Sequence, residues 1–224
     1  MIKSALLALA VLASQTTSTQ RFDIDAEHMS SQMINGKMTW ILEKQARIIH
    51  PNGKILAKKI RVQRDKQNIS FLEAEGSPLK IHYQSHNNSI YDIQAEKLFF
   101  SSSENNLRMS GALVLTHKLQ GQSTRSTIRG HQLQASLKGQ QFVSLVIEGK
   151  PLVELEHETQ DKKNNFLASA SKIEFDPDNK KIKMDSVKIT RKGEIITAEH
   201  IVIDPISGEI QAGSKISATL EVKE

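Results

Sequence analysis

The chain contains no cysteine. No disulfide, thiolate nucleophile or Cys-ligated metal can form, and no acylated cysteine can anchor it. Aromatic residues are scarce, at 4% of 224 residues, so any core is mostly Ile, Leu and Val. Beyond the N-terminus no apolar run approaches the roughly 20 residues that span a bilayer as a helix. Signatures of chemistry are also missing: there is no Gly-x-Ser-x-Gly elbow and no Gly-rich phosphate loop. His82 and His86 stand four apart, but on a strand-then-turn segment, where that spacing builds no helix-face metal site. Asp176-Pro177-Asp178-Asn179 opens like a calcium loop but lacks the later Gly and Glu ligand positions, and reads as a tight turn. These absences argue against an enzyme, and neither a cofactor nor a metal is expected.

The charge balance is 30 Lys and Arg against 25 Asp and Glu, a net +5. That modest excess suits anionic lipid, nucleic acid or simple solubility. The basic runs lack the interleaved aromatics of a single-strand stacking platform, so nucleic acid is not an expected partner.

The first specific signal present is N-terminal. Met1-Ile2-Lys3 gives a short positive region, Ala5–Ala13 is continuously apolar, and Val11 and Ala13 are small residues placed for cleavage after Ala13. This pattern predicts a secretory signal peptide over residues 1–13. Nine apolar residues are too few for a spanning anchor.

From Arg21 onward the apolar residues alternate, as in Lys-Ile-His-Tyr (80–83), Ala-Leu-Val-Leu (112–115) and Lys-Ile-Glu-Phe (172–175). Period-two runs separated by Asn, Asp, Gly and Pro clusters predict an all-β chain. An eight-residue phrase, aliphatic-x-Ala-x-x-aliphatic-x-apolar, recurs at 55–62, 93–100 and 196–203, with looser copies at 128–135 and 168–175. Gly-x-Pro-Leu occurs at 76–79 and 149–152, and correspondences at offsets of 73 and 75 residues divide the chain into two related halves. In an unbroken strand Ile55 and Ala57 would face one way and Ile60 and Val62 the other. A bulge near Lys58-Lys59 would return both pairs to one interior face. The small third residue fits a place where backbones approach closely, and stacked units would share a continuous apolar interior.

These residues resemble the OstA-like repeat family of periplasmic lipopolysaccharide-transport bridge proteins. The resemblance rests on the export signal, the repeated I-x-A-x-x-I phrase, Met109-Ser110-Gly111-Ala112-Leu113-Val114-Leu115, Gly76-Ser77-Pro78-Leu79 and the turn Asp204–Ile210. It spans about Phe22 to Ala212, with one departure: Lys44-Gln45-Ala46 stands where the family has Gly-Asn-Val. The resemblance implies a twisted antiparallel β-jellyroll over 21–213 that encloses an apolar groove, followed by a C-terminal tail over 214–224. It also implies lipopolysaccharide, through its lipid A part, as cargo in the periplasm. The implied partners are an inner-membrane anchored transport protein, an outer-membrane translocon and further copies of the chain joined head to tail.

The inward apolar positions of the repeats are the expected lipid-binding groove: Ile60, Val62, Ile81, Tyr83, Leu98, Phe100, Val114, Phe142, Ile173 and Phe175. Lys58, Lys59, Arg61 and Arg64 are candidate phosphate or sugar contacts, and Trp40 is a candidate rim anchor. Each also has a plainer reading, as packed core for the apolar set and solvated surface for the basic run. Two other functions stay open: a structural or adhesive β-repeat protein without cargo, and the membrane-anchored partner of the same fold.

Overall fold

The computed structural model describes residues 23–65, 68–84, 89–120, 125–138, 141–159, 165–176, 181–191, 194–203, 210–214 and 216–220. The expected signal peptide lies outside the described residues. Fourteen strands form one antiparallel sheet: β1 (Asp23–Asp25), β2 (His28–Ile34), β3 (Lys37–His50), β4 (Gly53–Asp65), β5 (Asn68–Gln84), β6 (Ser89–Ser101), β7 (Asn106–Leu119), β8 (Arg125–Lys138), β9 (Gln141–Glu158), β10 (Phe166–Asp176), β11 (Lys181–Arg191), β12 (Glu194–Ile203), β13 (Ile210–Ser214) and β14 (Ser217–Leu220). From β3 to β13 every strand pairs with its successor. The all-β class is the one expected from the period-two pattern, and the antiparallel pairing is the one the family resemblance implied.

Most of the ten long strands β3–β12 change face midway. In β4, Ile55 and Ala57 point inward, and so do Ile60 and Val62 after an odd step of three. The β4–β5 ladder slips between Leu56 and Lys59. The same change of parity recurs between Ala95 and Leu98 in β6, where the ladder to β7 slips between Gln94 and Lys97. It returns in β8 between Arg129 and Gln132 and in β10 between Ala170 and Lys172. A row of bulges thus crosses the sheet, and the bulge inferred at Lys58-Lys59 is one member of it. A bulge bends its strand and increases local twist, so the aligned row creases the sheet into two leaves.

The leaves face one another. Ile48 lies beyond the crease from Trp40 and Val62, yet all three line a single hollow. Small residues border the crease on the inside, namely Ala46, Ala57, Ala74, Ala95, Ala170 and Ala198. Gly130 holds the equivalent place in β8, where a Cβ would stand 2.8 Å from Ile147 Cγ2. The two Gly-x-Pro-Leu phrases sit on the crease in β5 and β9, with cis Ser77-Pro78 and Lys150-Pro151 bonds. The two sequence halves now have a structural meaning: β4–β7 and β8–β11 are successive four-strand repeats.

In β3 the crease passes through Lys44-Gln45. Lys44 and Gln45 have φ of +58° and +54°, a left-handed conformation that Gly and Asn adopt more readily. The bulge survives without the residues that favour it. Glu27 N donates to Lys44 O at 3.1 Å, and Gln45 Nε2 donates to Glu27 Oε1 at 2.6 Å, so the β1–β2 connection clasps this point.

At each end of the sheet two short strands divide one long neighbour. β2 pairs with residues 37–43 of β3 and β1 with 47–49. β13 pairs with 200–203 of β12 and β14 with 194–197. β14 falls within the segment expected to be a tail.

Candidate functional site

The middle of the inner face is apolar across all ten long strands, which follows from the alternation and the crease together. Of the expected groove residues, Ile60, Val62, Ile81, Tyr83, Leu98, Phe100, Ile173 and Phe175 lie on this face, each 5% exposed or less. Val114 does not. It is half-buried on the outer face, opposite Gln94 and Arg129, while Leu113 and Leu115 point inward. The reason is Gly111, whose φ of +100° makes β7 longer by one residue than β6 at the crease and sets the parity that follows. The side chain of Phe142 lies outside the described residues, although its backbone pairs with Leu137.

Among the described residues the inward side chains pack against each other. The hollow lined by Ile24, Trp40, Ile48, Val62, Ile69 and Arg64 has a volume of about 50 Å³. That is less than twice the roughly 30 Å³ share of one liquid water and far too small for an acyl chain. Trp40 is half-buried at this N-terminal end, beside the free edge. There the apolar face runs out into the open. Met29 stands opposite Leu42 and Met33 opposite Met38, and these three methionines are 61%, 62% and 45% exposed.

The basic run does not converge. Lys59 pairs with Glu43 at 2.6 Å, holding that carboxyl below the ordinary carboxylate range, and Arg61 pairs with Glu73 at 3.0 Å. Lys58 is exposed on the crease, while Arg64 borders the small hollow. The bulge after Ala57 and the alternation of β4 scatter four cations that are contiguous only in sequence.

A polar-aromatic row at the opposite margin of the interior was not anticipated. Tyr83, Tyr91, His117, Ser126, His157 and Phe166 are successive cross-strand partners over β5–β10. Tyr91 and His117 lie 4.8 Å apart between ring centroids, and His157 and Phe166 lie 5.2 Å apart. Ser126 Oγ and His157 Nδ1 are 2.8 Å apart. Burial lowers the affinity of His157 for a proton and drives that of His117 down to about 4, while it pushes the Tyr83 hydroxyl up. The sequence carried no signal for it, because the inward parity of Leu115 and His117 is set by the conformation of Gly111.

Comparison with known proteins agrees with the resemblance read from the residues. Residues 124–209 match the family described as LptA/(LptD N-terminal domain) LPS transport protein. That segment covers β8–β12, the second four-strand repeat and the strand after it. No curated protein matches the chain. Among solved structures, the crystal structure of LptH is similar at 16% identity and a TM-score of 0.49, covering 59% of this chain and 95% of that one. LptH is described as the LptA-homologous periplasmic component of the lipopolysaccharide transport device of Pseudomonas aeruginosa. Over residues 124–209, the chain is similar to lipopolysaccharide-transport proteins of the LptA/LptD N-terminal family.

Proposed function

We propose that the chain is a periplasmic lipopolysaccharide carrier, passing its cargo between an inner-membrane anchored partner and an outer-membrane translocon. The observation that carries this reading is the apolar inner face that emerges near a free edge as Met29, Met33 and Met38. The family similarity over 124–209 supports it. Each acyl methylene exposed to water costs about 0.8 kcal/mol, so a carrier must offer a dry surface along its whole length. Acyl chains enter by parting the two leaves, because the crease concentrates the bending at a few residues per strand. Free edges at β2 and β13 present unpaired backbone groups, which favour head-to-tail addition of another sheet of the same kind.

Native mass spectrometry of the purified protein should then find co-purified lipopolysaccharide, and a photocrosslinker at Phe100 or Phe175 should label it. The tight packing of the interior favours one other reading, a structural β-repeat protein without cargo. Protein free of lipid, with no label from either position, would establish that second reading.

A further inference from the structure

We infer that the outer face carries a second site, a basic trough for phosphorylated saccharide. The trough crosses β4–β8, has a volume of about 500 Å³ and is lined by Lys54, Lys80, Lys118 and Arg125 around His82, Asp92, Gln94 and Thr116. Volumes of 300–1,000 Å³ are typical of small-ligand sites. Register places the side chains on one face: Lys54 stands opposite His82, His82 opposite Asp92, and Asp92 opposite Thr116. Lys80 stands opposite Gln94, and Lys118 opposite Arg125.

At several places on the outer face cations meet carboxylates across strands, as in Arg47–Asp25, Lys59–Glu43, Arg61–Glu73 and Arg129–Glu156. Such opposite-charge pairs stabilise a sheet, and like charges placed opposite one another destabilise it. Lys118 and Arg125 form such a like-charge pair, and Glu158 stands opposite Arg125 on its other side without forming an ion pair with it. Among the described residues, none of the four trough cations has an ion pair. The carboxylate lining the trough, Asp92, is engaged by His82 Nδ1 at 2.8 Å.

Four unpaired cations converging on one hollow favour a ligand with more than one negative charge, and phosphate oxygens match their donors. The amide of Gln94 and the Thr116 hydroxyl supply neutral hydrogen-bonding groups suited to sugar hydroxyls. The concavity suits a discrete head group better than a membrane plane. Since the trough and the interior lie on opposite faces of one leaf, this site is independent of acyl-chain loading.

The test is calorimetric titration with deacylated lipopolysaccharide, which keeps sugars and phosphates but has no acyl chains. The same oligosaccharide after phosphatase treatment and vesicles of phosphatidylglycerol are compared with it. The phosphorylated oligosaccharide is expected to bind, and to bind at least tenfold more weakly to the Lys80→Gln/Lys118→Gln double variant. Phosphatase treatment should cause a similar loss. Both lysines are exposed, so the variant's melting temperature and interior photocrosslinking should not change. Undetectable binding, equal binding by the variant or by the dephosphorylated sugar, or binding to vesicles alone would overturn the inference. Because the probe has no chains, failure of the lipid-carrier reading would leave this result standing.

Discussion

The ring of His117 packs on that of Tyr91, and both of its nitrogens are buried without a hydrogen-bond partner among the described residues. An unpartnered buried polar group costs about 1–3 kcal/mol. The imidazole therefore stays neutral in the fold and titrates near 4, against an ordinary value of 6.5. Between those values the unfolded chain binds a proton that the native chain does not. Stability is full above pH 6.5 and declines as pH falls towards 4, by about 3 kcal/mol in all. His50 and His157 are lowered by burial as well and act in the same direction. Urea unfolding at pH 7.5 and pH 5 should show about 2 kcal/mol of this loss. His117→Phe should raise stability by about 1 kcal/mol at the higher pH and by more at the lower. An unchanged pH dependence in the variant would clear His117 of the effect.

Lys44→Gly should stabilise the protein by about 1 kcal/mol, because glycine adopts its positive φ without the steric penalty of a side chain. Ser186→Gly, on the crease in β11 at φ +51°, should behave alike. Thermal melts decide this, and a loss of stability at both positions would show that the bulges carry no strain.

Gly130→Ala tests the demand for small residues at the crease. The added methyl would meet Ile147 Cγ2 at 2.8 Å and Glu148 O at 3.2 Å, and Ile147 is fully buried. The expected cost is about 1–3 kcal/mol. A neutral outcome would mean that the leaves shift freely at this point.

Met33→Lys should suppress the head-to-tail association proposed above without altering monomer stability, since Met33 is 62% exposed on the free edge strand. Charged edge residues block strand addition. Sedimentation velocity at high concentration should move towards monomer, and a crosslinker at Gln32 should stop producing ladders. Persistent ladders would place the contact elsewhere.

The crease was legible because Ile55, Ala57, Ile60 and Val62 change parity within one short phrase, and only a bulge keeps all four inside. Parity was not legible where every residue was apolar. Ala112-Leu113-Val114-Leu115 alternates equally well in either sense, and only the conformation of Gly111 decides it. The fate of Lys58, Lys59, Arg61 and Arg64 depended on acids in other strands, Glu43 and Glu73, which no local reading could assign. The trough was hidden for the same reason, since Lys54, Lys80, Lys118 and Arg125 come from four different strands. Leu98 is 1% exposed in a packed core, so Leu98→Asp would unfold the protein before it reported on cargo, and Leu98→Ala, at about 2–5 kcal/mol, marks the practical limit.

The plain succession of neighbours from β3 to β13 has a kinetic consequence. Sheets usually fold slowly because strands distant in sequence must find one another, and that search costs loop-closure entropy. Here each of those ladders closes as a hairpin, so the sheet can nucleate at any repeat and lengthen in both directions. Hydrogen exchange should accordingly report protection that fades towards β1–β2 and β13–β14, leaving the ends that would receive a neighbour as the last parts to order.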